Sequence, residues 1–147
     1  MIAPTQKLKI FVYGSLRTGF FNYDKYLKGH VIKSEPAKVS GTLYHMPNKG
    51  YPALLEGTDE VYGEVMTIDN YDVVMEAVDK MEGYLGIDNK ENEYNRLALD
   101  VHLLDTDKVE KCYVYMYNLE NSKEFIENRE YIPHGDWTKN RECGNIK

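Results

Sequence analysis

Glu82 is a carboxylate placed where a helix should end, and that setting gives it chemistry to do. The run YDVVMEAVDKMEG (71–83) puts Val74, Ala77, Val78 and Met81 at the i, i+3, i+4 spacing of an amphipathic helix. Asp69 or Asn70 can cap its start, and Gly83 offers a stop. At about 100° per residue, the apolar stripe centres on Val74 and Met81, with Asp72, Glu76 and Asp79 on the solvated side. Leu85 would extend the stripe only if the helix ran past Gly83. Glu82 falls about 80° from the stripe centre, beside Val78 and Met75. Partial burial and the negative end of the helix dipole both disfavour its ionised form. They raise its pKa toward the range of a general base near neutral pH. The same position also suits a glutamate that reaches out into water, and the pattern alone leaves both roles open.

The second stretch is KIFVYGSLRTGFFN (9–22). Residues 9–13 read as a strand that stops at Gly14, Ser15 and Leu16. A glycine there lets the backbone approach a ligand closely, and successive amides in such a turn can hold a carboxylate or a developing oxyanion. It is not a phosphate loop or a dinucleotide fingerprint, because neither glycine spacing is present. Ser15 lacks the Gly-x-Ser-x-Gly context of a nucleophile elbow. By itself the turn is a weak signal.

These residues need a scaffold, and the sequence around them is rich in strands. Residues 37–46, 60–68, 96–104 and 111–119 carry Val, Tyr, Thr and Leu at strand-like density. In 96–104 Leu97, Leu99, Val101 and Leu103 share one face, which places His102 and Asp100 on the opposite, solvent-facing one. Residues 50–57 form an apolar run in which Pro52 argues against a central strand. A second, shorter helix is expected near 122–131. Strands, one firm helix and more strands give an α+β chain whose sheet is strongly curved or closed into a small barrel.

The chain has 147 residues and shows no repeat or linker, so one domain spanning 1–147 is expected. Thirteen tyrosines against four phenylalanines suit half-buried strands and pocket walls. A net charge of −6 disfavours nucleic acid as a partner. No stretch approaches the length of a membrane helix, and residues 1–10 do not read as a secretory leader. Cys112 and Cys143 form no disulfide framework, and His30, His45, His102 and His134 show no metal-ligand spacing. The cytosol is the expected location; oligomeric state is not readable.

Taken in order, FVYGSLRTGFFN (11–22), YPAL (51–54), VYGEVMTI (61–68), VDKMEGY (78–84), EYNR (93–96), CYVYMY (112–117) and YIPHGDW (131–137) resemble the gamma-glutamylcyclotransferase-like superfamily. The likeness is closer to its small members, of the gamma-glutamylamine cyclotransferase type, and spans residues 9–137. It implies a small, twisted, mixed β-barrel flanked by helices, with a cavity at the strand ends. It implies that Glu82 is the catalytic acid/base and that Tyr13, Gly14, Ser15 and Leu16 bind substrate. Tyr94 and Arg96 match a Tyr-x-Arg pair, with Arg96 serving either substrate or a structural ion pair, and Tyr115 matches a pocket-lining tyrosine. The implied reaction is release of 5-oxoproline and an amine or amino acid from a small gamma-glutamyl substrate, without metal or organic cofactor. The segment GYLGIDNKENE (83–93) is longer and more charged than in compact members, which leaves the leaving group open. The rival expectation is a non-catalytic binding or regulatory domain of the same fold.

Overall fold

The computed structural model describes residues 7–47, 50–119 and 129–140. Strand β1, Ile10–Val12, is buried at every position because both of its faces are covered. Phe11 joins one cluster with Val39, Val61, Val65 and Val114. Ile10 and Val12 join a second with Met66, Val74 and Val78. The first cluster fills a barrel, and the second lies between the barrel wall and a helix.

The remaining strands are β2 (Val31–Met46), β3 (Tyr51–Ile68), β4 (Tyr94–Leu103), β5 (Val109–Tyr117) and the short β6 (Glu130–Tyr131). The order β3-β1-β5-β4-β2 closes on itself through β2–β3 pairing, and β6 adds to β2. The result is a five-stranded barrel. It is mixed, since β1 runs parallel to β5 while the other pairs are antiparallel. The chain therefore forms the small mixed barrel of an α+β fold.

The apolar run 50–57, where Pro52 argues against a central strand, and the expected strand 60–68 form a single long strand. Between Gly41 and Thr42 the partner jumps from Asp59 to Leu55, so residues 56–58 bulge and the strand continues. Pro52 is accommodated because the described residues pair this half of β3 with β2, while β1 joins only at Glu64–Met66. In β4, Val101 and Leu103 are buried as expected, but Leu97 is 44 % exposed. His102 is half-exposed and pairs with Asp107 at 2.5 Å.

Helix α1, Tyr71–Met81, has the expected length and packs Val74, Val78 and Met81 of the expected stripe, but lacks the expected cap. Asn70 adopts φ +47° and its side chain makes no capping bond, while the Asp69 carboxylate pairs with His30 at 3.0 Å instead. The buried residues are Val74, Met75 and Val78, and Ala77 is exposed. The stripe centre therefore rotates toward Glu82, to within about 35° of it. Gly83 ends the helix at φ +68°, where a side chain would be strained. Of the expected second helix, 122–128 lies outside the described residues, and 130–131 is β6; Cys143 also lies outside them.

Candidate active site

The turn after β1 is held by three backbone bonds: Arg17 N–H to Gly14 O at 2.9 Å, Phe20 N–H to Arg17 O at 3.1 Å, and Tyr23 N–H to Ser15 O at 3.0 Å. These use carbonyls of the turn. Among the described residues no backbone carbonyl accepts from the amides of Gly14, Ser15 or Leu16, so these N–H groups remain as donors. Arg17 fastens the turn to the barrel, with Nε 2.9 Å from Glu64 and Nη1 3.1 Å from Asp136. Burial pushes the Glu64 carboxyl up, but donors from Arg17, Thr18 and Ser34 outweigh it and hold the group below its ordinary range.

Gly14 is required by close approach. A Cβ there would stand 2.6 Å from Pro52 Cγ and 2.9 Å from Cδ, on a ring that cannot swing away. Gly14→Ala should push the turn off Pro52 and weaken the binding of any ligand held at the turn about 10-fold or more, with a smaller loss in melting temperature. Parallel binding and melting measurements check this.

Glu82 arrives from the other side. Its backbone is locked by Glu82 N–H to Val78 O at 2.9 Å and by Tyr94 N–H to Glu82 O at 3.3 Å, so the helix end is tied to the start of β4. Glu82 lines a cavity of about 500 Å³, counting the open mouth, which the turn also lines. Burial, then Glu93, then Asp79 raise it from an ordinary carboxylate to about 8. No cation or hydrogen bond among the described residues opposes them.

Tyr13, Gly14, Ser15, Leu16, Glu82, Tyr94 and Tyr115 all line this one cavity. Tyr13 donates to the backbone oxygen of Tyr115, and Tyr94 donates to Pro52 O at 2.5 Å. Tyr115 donates to Asp79 Oδ1 at 2.5 Å. Arg96 does not line it. Its Nη1 lies 2.6 Å from Asp79 Oδ2 and its guanidinium packs over the rings of Tyr113 and Tyr84 at 4.5 and 5.0 Å. Asp79 is thus not on the solvated face of α1. Tyr115 and Arg96 draw it inward, although burial outweighs both and leaves its carboxyl raised.

Asn22, Tyr51, Pro52, Met81 and Glu93 also line the cavity. Each falls in or beside a motif visible in the sequence, but only contact across the fold gives them a place. Glu93 is the last residue of the long 83–93 segment and accepts from the Tyr51 hydroxyl. That segment folds back on the buried Asn92, which accepts from Leu85 N–H at 2.6 Å and donates to Gly86 O at 2.8 Å. Among the described residues no group of three or more His, Cys, Asp or Glu could hold a metal ion, and no helix is long and apolar enough to cross a membrane.

Comparison with known proteins decides the lineage. The family model described as "Gamma-glutamyl cyclotransferase, AIG2-like" matches residues 10–139. The chain belongs to this family. A family relative in Methanocaldococcus jannaschii, named "Putative gamma-glutamylcyclotransferase MJ1514", is 27% identical over 108 residues, covering 74% of this chain and 82% of its own. The crystal structure of an AIG2-like protein of Mus musculus superposes with a TM-score of 0.68 at 23% identity, covering 95% of this chain and 93% of that one. The solution structure of ytfP from Escherichia coli gives 0.59 at 21% identity, covering 92% and 100%. At these identities the solved structures speak for the fold alone.

Proposed function

We propose that this member of the AIG2-like cyclotransferase family cyclises gamma-glutamyl groups, releasing 5-oxoproline and an amine or amino acid, with Glu82 as general acid/base. The observation that carries this reading is one cavity lined by a desolvated carboxyl and by a turn with unused amides. A gamma-glutamyl group brings the complementary parts: an α-ammonium for the carboxyl and an α-carboxylate or carbonyl oxygen for the turn.

The reaction is a proton transfer and a ring closure. The Glu82 carboxylate takes a proton from the α-ammonium, and the freed amine attacks the side-chain amide carbonyl. A C–N bond forms and the carbonyl oxygen gains negative charge, which turn donors stabilise. Glu82 then returns the proton to the leaving nitrogen and the old C–N bond breaks. The ring nitrogen, which still carries two hydrogens after attack, gives one up through the Glu82 carboxylate to the departing amine, so the neutral five-membered lactam leaves with an ammonium. Nucleophile and electrophile belong to one molecule, so holding the substrate folded removes most of the entropic barrier. Raising the carboxyl to about 8 makes it a better proton acceptor than an ordinary glutamate near neutral pH.

The test is a panel of gamma-glutamyl amines and gamma-glutamyl dipeptides assayed for 5-oxoproline. Turnover of at least one is expected. Calorimetric binding of panel members without any 5-oxoproline would replace the enzyme with a binding domain of the same fold.

A further inference from the structure

The described residues lining the cavity include two carboxylates, Glu82 and Glu93, and no Lys, Arg or His. On the cyclotransferase reading above, the α-carboxylate of the substrate must be held there by neutral donors. Where the protons of those donors point then decides whether it binds. Backbone amides have fixed protons, but a serine hydroxyl turns toward whichever acceptor is offered. Ser15 lines the cavity and carries such a hydroxyl.

Asn22 removes its freedom. Asn22 Nδ2 lies 2.7 Å from Ser15 Oγ and 3.8 Å from Met81 Sδ. A thioether sulfur has no hydrogen to give, so the NH₂ end of the amide must face both atoms. That N–H occupies a lone pair of Ser15 Oγ and offers nothing for the hydroxyl to donate to. The Ser15 proton is left for a ligand. The backbone fixes this arrangement: Gly19, at φ +94°, turns the chain, and Tyr23 N–H binds Ser15 O at 3.0 Å, which brings Asn22 back beside Ser15.

We infer that Asn22 is a positioning residue that keeps the Ser15 hydroxyl as a donor toward the glutamyl carboxylate. The role depends on polarity, which separates it from packing. Asn22→Asp keeps the shape but can only accept; it draws the Ser15 proton away and turns the hydroxyl lone pairs toward the ligand.

The experiment measures the dissociation constant of 5-oxoproline, together with KM and kcat for a turned-over gamma-glutamyl amine. The proteins compared are wild type, Asn22→Ala, Asn22→Asp, Ser15→Ala and the Ser15→Ala/Asn22→Ala double variant, each checked by thermal melting. Asn22→Ala and Ser15→Ala should each weaken 5-oxoproline binding and raise KM about 10-fold, with a smaller change in kcat. The double variant should bind no worse than Ser15→Ala, and Asn22→Asp should bind worse than Asn22→Ala. If Asn22→Ala fails to fold, the isosteric Asn22→Asp carries the test. Wild-type affinity in either Asn22 variant, or losses that add in the double variant, overturns the role while leaving the cyclotransferase reading standing. A wild-type protein that neither binds 5-oxoproline nor releases it overturns both.

Discussion

Glu82→Gln should release 5-oxoproline about 10³-fold more slowly than wild type, and at pH 8 it should melt at a higher temperature. The first half follows from the role: glutamine keeps the shape and cannot move a proton, and general acid/base groups contribute about 10²- to 10⁴-fold. The second half follows from linkage. The Glu82 carboxyl is raised from 4.5 to about 8, because burial and the nearby Glu93 and Asp79 oppose its charge. Between those two pH values the folded protein holds a proton that the unfolded chain has lost, so stability falls as pH rises through that window. Glutamine has no proton to lose. The variant and wild type should melt together near pH 4.5, and the variant should gain a few kcal/mol by pH 8. Melting curves at several pH values, run beside the activity assay, check both halves. A variant destabilised at every pH would mean that Glu82 supports the fold.

Trp137→Ala should lower stability by about 3–5 kcal/mol, which for a chain of this size is a fall of about 10 °C or more in Tm. Trp137 is fully buried, its ring centroid lies 5.6 Å from Phe20, and its Nε1 donates to His45 Nδ1 at 3.1 Å. It is an anchor for the segment after β6. Gly135 O accepts from Tyr62 N–H at 2.8 Å, Ile132 N–H donates to Leu43 O at 2.9 Å, and Asp136 pairs with Arg17 at 3.1 Å. Arg17 belongs to the site turn, and Phe20 follows it closely. Losing the indole therefore loosens the turn as well as the barrel, and binding of 5-oxoproline should weaken along with Tm. Trp137→Phe should recover part of the stability, since a ring remains to pack on Phe20.

The two halves of the site are legible in the sequence to different depths. The helix and its end at Gly83 are local, written in the spacing of Val74, Val78 and Met81 and in one glycine. Which flank of the apolar stripe packs is not local. Ala77 is as apolar as its neighbours yet exposed, while Asp79 is drawn in by Tyr115 and Arg96 from strands far along the chain. The rotation that results brings Glu82 nearer the centre of the packed face. The Asn70 side chain has the right chemistry for a cap, but its left-handed backbone sets it aside. The continuity of 50–57 with 60–68 as one strand depends on a bulge opposite Gly41, and Pro52, lying between Gly50 and Gly57, disguises it. The site turn has no sequence signal beyond a glycine after a strand. Its significance comes from Pro52, which presses on Gly14, and from Asn22, which returns to Ser15.

The most direct measurement is the pH dependence of kcat/KM for 5-oxoproline release by the wild-type protein, from pH 5 to pH 10. This quantity reports groups on the free enzyme and free substrate. The acid limb should rise tenfold per pH unit and bend near 8, where the desolvated Glu82 carboxyl ionises. The same limb in kcat should lie at lower pH, because the bound α-ammonium favours the carboxylate. A rate that bends near pH 4.5 or stays flat from pH 5 to pH 9 would contradict the assignment of Glu82 as the base.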